Sequence, residues 1–278
     1  MVRTAALALV LVGCGKPPVE APAELNDLAR FLTVNFETEG TAELDAGVLS
    51  LEAALSGLDL EGDVDGRAFT MAPLREEDLG GMPAHAGFNT DTQVPVAVAA
   101  LSQFGFADQM DIVAETNHIC IESGTTKFYR RTFDTDVACF VDGSCDTLDT
   151  SNEVRKESAL GDIWYDLPKQ YRRFQLDEDG RDVMVARSYS PEVYTTDGGG
   201  GSFDQTYLLE VWIPDGGKTI HFTSMWSSVT MVAVSDNIWS ALVRSGLDEG
   251  FSFADDYLDG FAGELCREDR DRAYDREQ

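Results

Sequence analysis

Two arginine pairs, Arg130-Arg131 and Arg172-Arg173, are the residues best suited by type and spacing to do chemistry. Each sits in a short run of aromatic and β-branched residues, KFYRRTF and YRRFQL, which predicts a strand. A side-chain period of two sends one arginine of each pair to each face of a sheet. Two guanidinium groups on one face would hold a carboxylate or phosphate head group bidentately. Ion pairing with nearby acids is the simpler role for them. A second set, Trp164, Trp212, Phe222, Met225, Trp226 and Trp239, is able to line an apolar cavity and equally able to fill a core. Together the two sets sketch a pocket with an apolar body and a cationic end, which would suit a fatty acid or another anionic amphiphile.

Signatures of catalysis are absent. There is no GxSxG, HExxH, Walker A or GxGxxG pattern. The 3 histidines, His85, His118 and His221, fall on different elements, and strand alternation turns His221 outward. With 50 acidic residues, a carboxylate pair in any cleft carries little information. Glu61, Asp63, Asp65 and Gly66 imitate the start of a calcium loop, but Ala72 stands where the bidentate glutamate belongs. No metal site, cofactor or catalytic residue is therefore expected.

The net charge of −29 makes nucleic acid a poor partner, because such a surface repels phosphate. It also disfavours docking onto anionic lipid. Hydrophobic residues make up 43%, enough for a folded core in a chain of 278 residues.

The chain begins with Arg3 and an apolar run from Ala5 to Val12, the layout of a secretory signal and too short to span a bilayer. Leu11-Val12-Gly13-Cys14 resembles the lipobox of bacterial lipoproteins. The resemblance implies cleavage after Gly13, diacylglycerol on the Cys14 sulfur and acylation, commonly with palmitate, of the new amino terminus. It also implies anchoring in the cell envelope. Gly15, where an inner-membrane retention signal has Asp, points to the outer membrane, with the periplasmic or surface face open. Residues 14–23, rich in proline, then read as a stiff tether.

Four further cysteines, Cys120, Cys139, Cys145 and Cys266, suit two disulfides in an exported chain. Three connectivities are open. Cys139 and Cys145 flank the turn-forming FVDGS, so a local bridge is expected there, and Cys120 would then pair with Cys266. Zinc is the competing use, but no CxxC is present.

Residues 24–93 read as a helical segment with an irregular connection. Leu25, Leu28, Leu32 and Phe36 share one helical face, and so do Leu44, Val48, Leu51, Leu55 and Leu58. Residues 94–278 read as an α+β body with a charged tail. VPVAVAAL predicts a strand and FADQMDIVAETN a helix. KFYRRTF, VACFV, DIWYDL, YRRFQL and DVMVARSY predict short strands. QTYLLEVWIP and TIHFTSMWSSVTMV, joined by DGGK, predict a long hairpin. A last helix from Asp236 would bury Ile238, Leu242, Leu247, Phe251, Ala254, Leu258 and Phe261. Gly246 and Gly250 would let it approach a neighbour closely or bend.

This order, an antiparallel sheet and then a long C-terminal helix, resembles the helix-grip fold of START-like proteins, which include polyketide cyclases and lipid carriers. The resemblance implies an apolar cavity between sheet and helix. The resulting expectation is an envelope-anchored, non-catalytic binding protein for an apolar or anionic amphipathic small molecule. A structural or protein-interaction lipoprotein with an envelope protein as partner is the alternative, and a hydrolase or cyclase comes third.

Overall fold

The computed structural model describes residues 19–84, 88–122, 124–158, 161–176, 178–231 and 235–260. Cys14, His85, Phe261, Cys266 and the charged tail lie outside them.

Helices α1 (Leu25–Val34) and α2 (Ala42–Leu55) form where the leucine spacing predicts them. Leu28, Leu32, Leu44, Val48, Leu51 and Leu55 are all buried, because steps of three and four keep side chains on one helical face. A helical turn, α3 (Val64–Arg67), and a short strand, β1 (Ala68–Thr70), follow. The rest runs β2 (Val94–Ser102), α4 (Phe106–Ala114), β3 (Thr126–Phe133), α5 (Val137–Val141), β4 (Thr147–Ser158), β5 (Gly161–Asp166) and β6 (Lys169–Gln175). It ends with β7 (Asp182–Tyr189), β8 (Tyr194–Thr195), β9 (Gly201–Asp215), β10 (Lys218–Met231) and α6 (Asp236–Leu258).

Among the described residues these strands make one antiparallel sheet in the order β1-β2-β10-β9-β7-β6-β4-β3, with β5 beside β4 and β8 beside β9. The β9–β10 hairpin turns at Gly216 and Gly217, whose φ angles of 57° and 95° only glycine adopts cheaply in succession. At the outer rim, β3 carries the exposed Lys127 and Arg130, and the Arg131 N–H donates to Thr116 O (2.8 Å).

The class is therefore α+β, with the long last helix on the sheet, as expected. Alternation decides what covers each face. Ala97 and Ala99 of β2, with Phe222 and Trp226 of β10, pack against α1 and α2 in the main core. Val96 and Val98 point the other way and pack with Trp239 and Val243 of α6. Helices α4 and α5 share the α6 face: Met110, Val113 and Phe140 cover Tyr171, Met184, Ala186 and Trp212. The N-terminal helices thus share one core with the sheet.

Two strand arginines fasten that N-terminal layer. Arg187 is 1% exposed; its guanidinium lies 4.4 Å from the Phe36 ring centroid and bonds Gln170, Gly80 O and Glu37. Arg172 donates to Phe36 O (2.5 Å), Thr38 O (3.0 Å) and Gly40 O (2.8 Å) beyond the end of α1.

Three expectations are corrected. VACFV is the helix α5, not a strand, because Asp136 accepts from the Ala138 N–H (2.9 Å) and the Cys139 N–H (3.4 Å) and caps a helical turn. The phase of α6 differs at its start. Ile238 and Leu242 are 52% and 55% exposed, while Trp239 and Val243 are buried. The Trp239 indole donates to Ser227 Oγ (2.8 Å) and meets Phe203 edge-on, which rotates the helix by one residue, about 100°. Gly246 and Gly250 serve neither a close approach nor a break: nothing lies within 4 Å of where a Cβ would stand, and the helix runs through both.

Candidate functional site

The α6 face of the sheet carries charge where a core would carry hydrocarbon. Lys169 on β6, Glu210 on β9 and His221 on β10 all project from it, because each shares the parity of the α6-facing side chains on its strand. The sequence reading of His221 as outward is corrected here. It expected solvent on that side, and the side is covered by Phe251 of α6.

Lys169 Nζ is ion-paired with Glu210, and His221 Nε2 lies 3.7 Å from Glu210 Oε1. The ammonium stands 5.1 Å from the Tyr171 ring centroid and 5.6 Å from that of Trp212. His221 stacks on Trp212 at 4.4 Å and meets Phe251 at 4.7 Å. Burial opposes ionisation of Glu210, yet Lys169 and His221 hold its carboxyl down to about 2. Burial likewise works against a charged Lys169, but Glu210 outweighs it and raises the amine. Burial lowers His221 below its ordinary value despite Glu210, so the imidazole is neutral at pH 7.

A second group adjoins the first. Arg131 donates to Asn152 Oδ1 (2.9 Å), Val113 O (2.9 Å) and Tyr129 Oη (3.2 Å), all neutral oxygens. His118 stacks on Tyr129 at 4.8 Å, with Nε2 at 3.0 Å from Ile112 O. Burial, with Arg131 and Lys169 adding to it, lowers His118 well below its ordinary value. This face of the sheet thus gathers Arg131 and Lys169 with Glu210, and Glu122 adds a negative charge near Arg131.

This region is not solid. Lys169 and Glu210 keep 12% and 13% of their side-chain surface accessible, and His221 keeps 15%, although they lie mid-sheet beneath helices. Of the three, His221 lines the cleft beneath α6. Leu247, Phe251, Ala254 and Leu258 on α6 are only half-buried, and Phe251 and Ala254 line that cleft. Ser188, on the strand between Lys169 and Glu210, has a buried hydroxyl with no hydrogen-bond partner among the described residues. A cleft of about 220 Å³ opens beneath the C-terminal half of α6, with Ala100, Gln109, His221, Phe251 and Ala254 among its walls.

Polar contacts hold that half of α6 to the body. Asp255 accepts from Ser102 Oγ (2.5 Å) and the Gln103 N–H (3.1 Å). Asp248 is ion-paired with Arg67, and Tyr257 Oη donates to Glu115 (2.8 Å). Glu61, read as the start of a calcium-like loop, accepts from Lys218 (2.7 Å) and Gln103 (2.8 Å), while Val64–Arg67 winds into a helical turn.

The sequence-derived candidates divide between the two faces. Arg131 and Trp212 stand at the charged interior, and Met225 and Trp239 pack with the α6 cluster. Arg173 shares the α6 face but turns to Phe140 O (3.2 Å), Val141 O (2.9 Å) and Asp182 (2.7 Å). Phe222 and Trp226 are in the core beneath α1 and α2, where Arg172 also points. Arg130 pairs with Glu153 (2.6 Å) beside a separate surface cleft of about 370 Å³. Trp164 is 42% exposed and packs on Phe128 and Arg155. Cys139 and Cys145 form a disulfide, with Cα atoms 5.2 Å apart. Cys120 is also oxidised, while Cys266 lies outside the described residues. The sequence reading missed Lys169 and Glu210. The signal was an acid alone in the apolar run YLLEVWI and a lysine two residues before Tyr171.

No protein-family model and no curated protein matches this chain. Among solved structures, it is similar to a STAR-related lipid transfer protein from Xanthomonas axonopodis, with 9% identity and a TM-score of 0.43, over 59% of this chain and 85% of that one. It is also similar to a START superfamily protein from Mycobacterium smegmatis, with 10% identity and a TM-score of 0.39, over 60% of this chain and 98% of that one.

Proposed function

We propose that this protein binds an amphipathic organic molecule in the hollow between α6 and the sheet, without transforming it. The observation that carries the reading is the residual exposure of Lys169, Glu210 and His221 in mid-sheet beneath a helix. Phe251 and Ala254 of α6, with Ala100 and Leu101 of β2, offer the ligand an apolar wall. Lys169, with Arg131 on the same face, puts positive charge at the inner end, where an anionic group of the ligand is favoured over a cationic one. The test is to purify the chain from its native host, extract it with organic solvent and identify co-purified organic acids by mass spectrometry. An extract without such molecules, together with no quenching of tryptophan fluorescence on adding organic acids, overturns the reading.

The same proposal places the protein at the bacterial envelope, held in the outer membrane by acyl groups on Cys14. The Leu11-Val12-Gly13-Cys14 sequence and the apolar run before it support this. Two or three acyl chains anchor stably where one gives marginal binding. Intact mass measurement of the native protein tests it: loss of residues 1–13 and added acyl mass is the expected result, and an unmodified Cys14 thiol removes the anchor from the account.

A further inference from the structure

We propose, resting on the binding role above, that His221 is the specificity-determining residue of the cleft: its Nδ1 accepts a hydrogen bond from a neutral hydroxyl on the ligand, so the cleft takes hydroxylated molecules over their deoxygenated or methylated counterparts. The cleft walls offer acceptors and hold back their donors. The Arg67 guanidinium donates to Gly62 O (2.8 Å) and Ala99 O (3.0 Å) and pairs with Asp248. The Ser102 hydroxyl donates to Asp255 (2.5 Å) and the Ser252 hydroxyl to Asp248 O (3.3 Å). The side-chain amides of Gln103 and Gln109 donate to Glu61 (2.8 Å) and to Ser102 Oγ (3.0 Å). Two acceptors have no hydrogen bond among the described residues, Gln109 Oε1 and His221 Nδ1. Gln109 is 3% exposed, His221 keeps 15% of its side-chain surface accessible, and both line the cleft. An acceptor so enclosed is costly unless a donor meets it.

Glu210 sets the tautomer of His221. Its Oε1, on the neighbouring strand β9, lies 3.7 Å from Nε2, and its carboxyl is ionised. A lone pair turned toward a carboxylate is repelled, so the ring proton stays on Nε2 and Nδ1 keeps its lone pair. Trp212 at 4.4 Å and Phe251 at 4.7 Å hold the ring, which fixes the direction of that lone pair. The donor it meets is neutral. Burial, with Lys169 adding to it, keeps a second proton off His221, and Glu210 and Asp255 oppose this without overcoming it. A cationic donor placed against Nδ1 meets the same two penalties. The cleft measures about 220 Å³. A cavity of roughly 150 Å³ suits benzene, about 25 Å³ per heavy atom, so a body of about 9 heavy atoms fits.

The test uses the full chain carrying Cys14→Ser, so that no acyl group is attached. Calorimetry compares 4-ethylphenol with ethylbenzene, which lacks the hydroxyl, with 4-ethylanisole, whose oxygen carries a methyl group, and with the cation of 4-ethylbenzylamine. The phenol should bind at least tenfold more tightly than the other three. His221→Phe keeps an aromatic ring between Trp212 and Phe251 and removes the acceptor. It should bring 4-ethylphenol down to the affinity of ethylbenzene and leave ethylbenzene unchanged. Should that variant fail to fold, nitrogen NMR of histidine-labelled protein reads the same contact: the signal of the unprotonated His221 nitrogen should move toward the protonated position with 4-ethylphenol and stay in place with 4-ethylanisole. Equal binding of all the probes overturns the assignment to His221 and leaves the binding role standing. A preference for the phenol that survives in His221→Phe also overturns it. Preference for the amine overturns the neutral donor. Binding of none overturns the inference, and together with an empty solvent extract of the native protein it overturns the role as well.

Discussion

His221 Nε2 lies 3.7 Å from Glu210 Oε1, on adjacent strands of one sheet face, and the two titrate in ways that weaken the fold on acidification. His221 is lowered by burial from 6.5, so the unfolded chain binds the proton more readily and stability falls as pH drops through 6.5. His118, also lowered from 6.5, adds to the same limb. Glu210 is lowered from 4.5 to about 2, so its contribution is complete above 4.5 and is lost between there and about 2. Urea midpoints should therefore fall in two steps on acidification from pH 8. His221→Gln should shrink the step near 6.5 and also weaken the lower one, because His221 helps Lys169 hold Glu210 down. An unchanged upper step in a His118→Gln, His221→Gln double variant contradicts the assignment.

Arg187 and Arg130 make opposite predictions from the same side chain. Arg187 is buried between the sheet and the N-terminal layer, and Arg187→Ala strands Gly80 O and Gln170 and removes the stack on Phe36, while the exposed Glu37 turns to water. A loss of about 2–4 kcal/mol in urea denaturation is expected, from the unpaired buried acceptors and the emptied site. Arg130 pairs with Glu153 at the surface, and Arg130→Ala should cost less than about 1 kcal/mol. Equal losses would show that Arg187 does not fasten the N-terminal helices.

The phase of α6 is testable by paired substitutions. Trp239→Ala empties a packed site and frees Ser227, for an expected loss of about 3–5 kcal/mol. Ile238→Ser and Leu242→Ser, on the outward side, should each stay within about 0.5 kcal/mol. Reversal of that order in thermal melts restores the helical phase expected from sequence.

The Cys139–Cys145 bridge closes a loop of sequence separation 6, so replacing both by serine should cost about 2 kcal/mol. Cys139 lies within α5, three residues after its cap Asp136, and Arg173 bonds the carbonyls of the next two residues. Those carbonyls keep Arg173, so the double serine variant should retain its native far-ultraviolet circular dichroism while its melting temperature falls. A collapsed spectrum would make the bridge a condition for α5 to form.

Elements whose pattern is local were legible in the sequence. The leucines of α1 and α2 repeat every three or four residues, and the two glycines after Asp215 fix the hairpin. β4 was not legible: TLDTSNEVRKES is polar at all but Leu148 and Val154 and becomes a strand because β3, β5 and β6 pair with it. VACFV is rich in strand formers, but one aspartate ahead of it decides for helix. The site was half legible. Alternation correctly divided each arginine pair between faces, but which face is hollow depends on where α4 and α5 lie, and no local pattern states that. Lys169 and Glu210 come together across the intervening strand β7 from 41 positions apart, a register that only the assembled sheet supplies.

One rim of the sheet has a consequence for life at high concentration. Exposed strand borders invite copies of a chain to zip into fibres, and lysine is a common deterrent. On β3 that border carries Lys127 and Arg130, and one of its amides is already taken by Thr116 O. Molecules crowded side by side would meet long charged side chains, paired to Glu157 and Glu153, and a spent donor where polymer growth needs a bare template, so the fold carries its own protection against fibril growth along that edge.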